Sequence, residues 1–133
     1  MFPDVLQPGH GMRVRVADGL TRTQIVQYAG ASGDFNPIHT DEVFATRVAG
    51  LPTVMAHGML TMGLVARALT EVVAQERIRA FGGRFKSPVW PGDTITVQLT
   101  RGPGPCGTDA ETVELEATNQ SGIEVFTGYA RLG

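Results

Sequence analysis

Gly58-Met59-Leu60-Thr61-Met62-Gly63-Leu64-Val65-Ala66-Arg67-Ala68-Leu69 is apolar nearly all round a helical turn. A helix with apolar residues on every side is enclosed, not laid on a surface. The pattern predicts a helix over residues 58–77, about 30 Å long. Its second half, Glu71 to Arg79, turns charged and should emerge into solvent. The uncharged run Val48 to Ala66 contains Gly50, Pro52, His57 and Gly58, which read as a loop entering a buried helix and not as a membrane span.

On both sides of this helix the pattern changes to period two. Met12 to Val16 alternates and reads as a short strand, and Phe81 to Lys86 as another. In Asp93 to Thr100, Ile95, Val97 and Leu99 share one face. Glu111 to Thr118 repeats this with Val113, Leu115 and Ala117, and Ile123 to Leu132 is a last strand. Thr21-Arg22-Thr23-Gln24 has the form of a capping box, opening a helix through about Ala29 that Gly30 would close. Thr40 is placed to cap a short helix from Asp41 to about Arg47, tucked down by Val43 and Phe44. Residues 1–10 read as a loose lead-in, with His10 a solvated surface histidine. An enclosed helix with a strand before it and a strand meander after it predicts an α+β fold, one face of the sheet in water.

At 133 residues the chain is the length of one domain, 1–133. Glycine and proline, at 17 and 8, stay below the level that signals disorder. A net charge of −2 gives no footprint for nucleic acid or an anionic membrane. The lone Cys106 excludes an internal disulfide and fits a reducing cytoplasm, the expected compartment. Pro3, Asp4 and Pro8 do not make a signal-peptide start. No grouping of His, Cys, Asp and Glu has convincing metal spacing, and no cofactor is expected.

Between the first helix and the apolar one lies Tyr28-Ala29-Gly30-Ala31-Ser32-Gly33-Asp34-Phe35-Asn36-Pro37-Ile38-His39. Gly33 permits a positive φ, and Pro37 keeps Asn36 out of the α region. The result is a rigid loop presenting Asp34, Asn36 and His39 together; the alternative is an Asx turn leading into a helix cap. Tyr28 reads as a packing residue beneath it.

The loop resembles the signature of the R-specific enoyl-CoA hydratases and the wider MaoC-like dehydratases: aromatic, small residues, then Ser-Gly-Asp-x-Asn-Pro-x-His. Ala56-His57-Gly58-Met59-Leu60 is similar to that family's helix entry, and Phe85 with Pro88-Val89-x-Pro91-Gly92-Asp93 to its following strand. The chain is also similar to short hydroxyacyl-ACP dehydratase subunits. The resemblance implies the hotdog fold, an antiparallel sheet wrapped around the long central helix, and assembly as a homodimer or with a related subunit. It implies reversible hydration of trans-2-enoyl thioesters of CoA or acyl carrier protein, in fatty-acid or polyketide metabolism. Asp34 and His39 would activate water, Asn36 would orient them, and the Gly58 N–H would stabilise the thioester oxyanion. His57, Arg84 and Trp90 are further candidates for substrate contact, with His57 more simply read as a capping or supporting histidine. The competing readings are a hotdog thioesterase, which would want a carboxylate on the enclosed half of the helix where none precedes Glu71, and a non-catalytic acyl-binding partner subunit, which would lack Asp34 or His39.

Overall fold

The computed structural model describes residues 4–105 and 107–133; the readings on Pro3 and Cys106 lie outside them. Five strands form one antiparallel sheet. They are β1 (Gly11–Ala17), β2 (Ile78–Phe85), β3 (Ile95–Arg101), β4 (Thr112–Thr118) and β5 (Glu124–Leu132), ordered β1-β3-β4-β5-β2. The helices are α1 (Arg22–Ser32) and α2 (Gly58–Val72), and α2 packs against β1 and β3. This is the hotdog arrangement. Among the described residues, no helix is long and apolar enough to cross a membrane.

The sheet's inner face follows the alternation in the sequence. Ile95, Val97, Leu99, Val113 and Ala117 are fully buried beneath α2, each large aliphatic contributing about 1.5–3 kcal/mol. Gly83 of β2 lies opposite Gly128 of β5. A Cβ on Gly83 would come within 2.5 Å of the Phe126 ring, and one on Gly128 within 2.8 Å. Both positions are bare because the Thr127 and Gly82 backbone carbonyls stand closer still and wholly buried Phe126 passes across them.

Several expectations change. The capping box forms as read: Gln24 N–H donates to Thr21 Oγ1 (3.0 Å) and Thr21 N–H to Gln24 Oε1 (2.9 Å). Yet α1 runs past Gly30 to Ser32, and Gly33, at φ 76°, caps it. Asp41, not Thr40, caps the next turn by accepting Phe44 N–H (3.1 Å). That turn is π-helical from Phe44 to Val48 and buries Ala45, while Val43 stays exposed. Helix α2 stops at Val72 because buried Val73 adopts an extended conformation, and a 3-10 turn (Gln75–Arg77) follows. The helix is also not enclosed on every side: Met59 is 56% exposed, and Gly63 and Arg67 continue that open stripe one turn at a time.

The lead-in is anchored from Asp4 onward. Leu6 is buried, its N–H donating to the Val72 carbonyl (2.9 Å). The Asp4 carboxylate accepts Ala74 N–H (3.0 Å) and pairs with Arg77 and with buried Arg101 (3.0 Å). Burial alone would raise the Asp4 carboxyl; the Ala74 amide and the two guanidinium groups outweigh it and hold it below the usual carboxylate range.

Candidate active site

The loop after α1 is locked by its own short polar side chains. Ser32 Oγ accepts Asp34 N–H (3.2 Å), Asp34 Oδ1 accepts Asn36 N–H (3.2 Å), and Asn36 Oδ1 accepts Ile38 N–H (3.1 Å). Each bond spans two residues, the Asx and ST geometry that holds a turn without a helix or strand. Asn36 therefore acts on the loop itself, and its backbone carbonyl accepts His39 N–H (3.1 Å).

His39 is buried, while the Asp34 side chain is half-exposed. His39 Nδ1 lies 2.5 Å from the Met55 carbonyl, which can only accept, so Nδ1 carries a hydrogen, and in the neutral ring Nε2 is the acceptor. Nε2 stands 3.8 Å from Asp34 Oδ2. That gap is too long for a direct hydrogen bond. Two acceptors thus face one point, an arrangement suited to a molecule that donates twice.

His57 lies against this pair. Its ring stacks on His39 (centroids 3.7 Å, 22° between planes), and its Nε2 donates to the Asp34 carbonyl (3.0 Å). Tyr28 meets it edge-on (4.8 Å, 63°), the packing role read for it. His57 occupies the N-cap of α2, but its side chain caps nothing. Asp34, His39 and His57 hold ligand-type atoms within 4.8 Å of one another. They do not fit one metal ion: imidazole lone pairs lie in the ring planes, and these stacked planes do not meet within bonding distance.

Gly58 opens α2, where first-turn N–H groups lack helical partners and the helix dipole favours negative charge. It borders a pocket of about 300 Å3 lined by Met55, Ala56, Thr61, Phe85, Val89 and Val125 among others. A Cβ on Gly58 would stand 3.3 Å from the Phe85 ring. Phe85 went unnoticed as a site residue, although its parity with Gly83 on β2 turns it toward the helix. The same parity turns Arg84 away: it lies in a depression on the sheet's outer face with Gln98, Glu114 and Tyr129. Trp90 is not in the wall beside Gly58; its backbone N–H donates to the Asp93 carboxylate (2.9 Å) in the tight turn 90–93.

A second unpredicted residue, Glu42, braces the loop from behind. It accepts Arg22 (2.6 Å), Thr53 Oγ1 (3.0 Å) and Val54 N–H (3.1 Å), tying α1 to the strand-like entry of α2. Hydrogen bonds from Thr53 and Arg22 hold its carboxyl below the usual range. No local signal marks Glu42, since its partners are distant in sequence.

The profile of the MaoC like domain matches residues 5–122. 3-Hydroxyacyl-thioester dehydratase Y of Mycobacterium tuberculosis is 40% identical over 73 residues, covering 53% of this chain and 25% of that protein. Peroxisomal enoyl-CoA hydratase 2 of Arabidopsis thaliana is 35% identical over 71 residues, covering 51% and 23%. The chain thus spans about a quarter of the length of these two curated relatives. The unliganded R-hydratase PhaJ1 of Pseudomonas aeruginosa superposes with a TM-score of 0.77 at 25% identity, covering 97% of this chain and 84% of that one. With the profile matched over most of its length, the chain belongs to the MaoC-like domain family.

Proposed function

We propose that this protein hydrates trans-2-enoyl thioesters to R-3-hydroxyacyl thioesters, or runs the reverse dehydration. The observation that carries the proposal is the pair of acceptors, Asp34 Oδ2 and His39 Nε2, converging 3.8 Å apart. A water donating one O–H to each keeps an oxygen lone pair free for Cβ. As its oxygen bonds Cβ, the pair takes up one of its protons, and the C=C electrons move through Cα to the thioester oxygen. The Gly58 N–H meets that oxygen as it gains charge, and return of the proton from the pair to Cα, as the electrons come back from the oxygen, completes the addition. Asn36 holds the two acceptors in register.

The substrate is a thioester of CoA or of acyl carrier protein, in fatty-acid or polyketide metabolism, with its reacting end in the pocket beside Gly58 and Phe85. The working unit is a dimer, with a second copy or a related hotdog subunit. In support, β1 and β2 are open sheet edges, and Phe35, Phe85 and Met59 are exposed large apolar side chains. A thioesterase reading finds no support: Glu71 is the first acid on α2, and it is exposed and paired with Arg67.

The test follows the ultraviolet absorbance of the conjugated enoyl group with crotonyl-CoA and a longer enoyl-CoA, with chiral analysis of the product. Loss of absorbance with an R-3-hydroxyacyl product is expected. Thioester cleavage without hydration, or an S product, refutes the proposal.

A further inference from the structure

We infer that His57 is a positioning residue that registers the Asp34–His39 pair against the start of α2, an inference that rests on the hydration reading above. His57 is 2% exposed, so its two nitrogens can be accounted for within the protein. Nε2 faces the Asp34 carbonyl, which only accepts, so Nε2 carries the hydrogen and the tautomer is fixed. Nδ1 is left with a lone pair and no partner among the described residues. An unpaired buried acceptor opposes folding, and a purely packing side chain of this shape would avoid it. What the imidazole supplies here and a phenyl ring does not is the donor to Asp34.

Helix capping does not explain the residue. A capping side chain accepts an N–H from the first turn, and here the first-turn amides of Leu60 and Thr61 go to the His57 carbonyl (3.1 and 3.3 Å) while the ring points back into the loop. Its flat face lies on His39. The Met55 carbonyl restrains one edge of the His39 ring, and the stack restrains its plane; together they aim Nε2 at Asp34. Tyr28, reaching from α1, meets the His57 ring edge-on. One side chain therefore touches the backbone of Asp34 and the ring of His39, and its own backbone is joined covalently to Gly58. It sets the distance between the water-holding pair and the oxyanion donor.

Two variants of the whole chain separate the contacts. His57→Gln keeps a donor for the Asp34 carbonyl and loses the stack; His57→Phe keeps the stack and loses the donor. Each is assayed for kcat and KM with crotonyl-CoA, for thermal unfolding, and for the nitrogen NMR shifts of the His39 ring. The expected result is kcat lowered ~10- to 100-fold in both, the scale of an error of about 1 Å in placement, with KM within about threefold of wild type. In His57→Gln the His39 ring should keep its hydrogen on Nδ1 toward Met55 but lose its fixed plane, read as a broadened Nε2 signal. Wild-type kcat in both variants, or a kcat loss that merely tracks the unfolded fraction, overturns the inference, as does an unchanged His39 spectrum in folded His57→Gln. If the wild-type protein hydrates no enoyl thioester, the hydration reading fails, and the His39 spectrum alone then decides whether His57 positions that ring.

Discussion

Asp34→Asn keeps the side-chain shape and replaces one carboxylate oxygen by an amide nitrogen. Asp34 Oδ1 already accepts Asn36 N–H at 3.2 Å. An asparagine in that place keeps its carbonyl oxygen on the same amide and turns its NH2 toward His39. A donor then faces the Nε2 lone pair across the 3.8 Å gap that two acceptors previously shared. Both groups that would receive a proton from water are consumed by one substitution. General-base assistance supplies ~10²–10⁴-fold, so turnover should fall by ~10³-fold, or about 4 kcal/mol of activation free energy. Folding should change little, within about 0.5 kcal/mol, because the side chain is 53% exposed and keeps its loop bond. The assay is enoyl-thioester absorbance at saturating substrate, paired with urea unfolding of the same preparation. Turnover within about tenfold of wild type, in a folded variant, would refute the two-acceptor account.

Gly58→Val puts a branched side chain where Cβ alone already stands 3.3 Å from Phe85; hydration should drop ~10²-fold or more with a smaller effect on unfolding temperature, and unfolding or unchanged rates would remove Gly58 as the oxyanion donor. Gly63, inside the run whose pattern predicts an enclosed helix, has no described atom within 4 Å of where a Cβ would stand, so Gly63→Ala should stabilise the protein by about 0.5–1 kcal/mol in denaturant unfolding; a loss of stability would contradict the open face. Asp4→Asn should cost about 2 kcal/mol near neutral pH, below the figure for fully buried pairs because Arg77 is partly exposed. Since the folded carboxyl is held low, its contribution is complete above the unfolded value of about 3.9 and is lost as pH falls through the lower folded value. The urea midpoints of variant and wild type should therefore converge in acid, and a gap that stays constant with pH would refute the assignment.

What could be read in the sequence was local. Thr21 and Gln24 are three residues apart, and their reciprocal bonds need nothing from elsewhere. Ile95, Val97 and Leu99 announce their common face by parity. Ser32, Asp34 and Asn36 each bond an amide two residues on, so the loop's rigidity is written within it. What could not be read depends on partners far along the chain. The helix ends at Val72 because the core, not the helix pattern, claims Val73. Asp4 finds Arg77 and Arg101, and Glu42 finds Arg22, Thr53 and Val54, through folding alone. Arg84 shows a cue that was legible and unused: parity with Phe85 already sets the two on opposite faces.

Asp34, His39, His57 and Gly58 all fall within one uninterrupted stretch, residues 34–58, whereas Phe85, Val89 and Val125 of the adjoining wall come from the later half of the chain. Inheritance can act on these halves separately. A recombinant that retains the first 72 residues and borrows the remaining strands from another hotdog protein would keep its reactive groups and acquire a different enclosure. Diversity in what such proteins accept can then arise by exchange of walls, without any intermediate that has lost its chemistry.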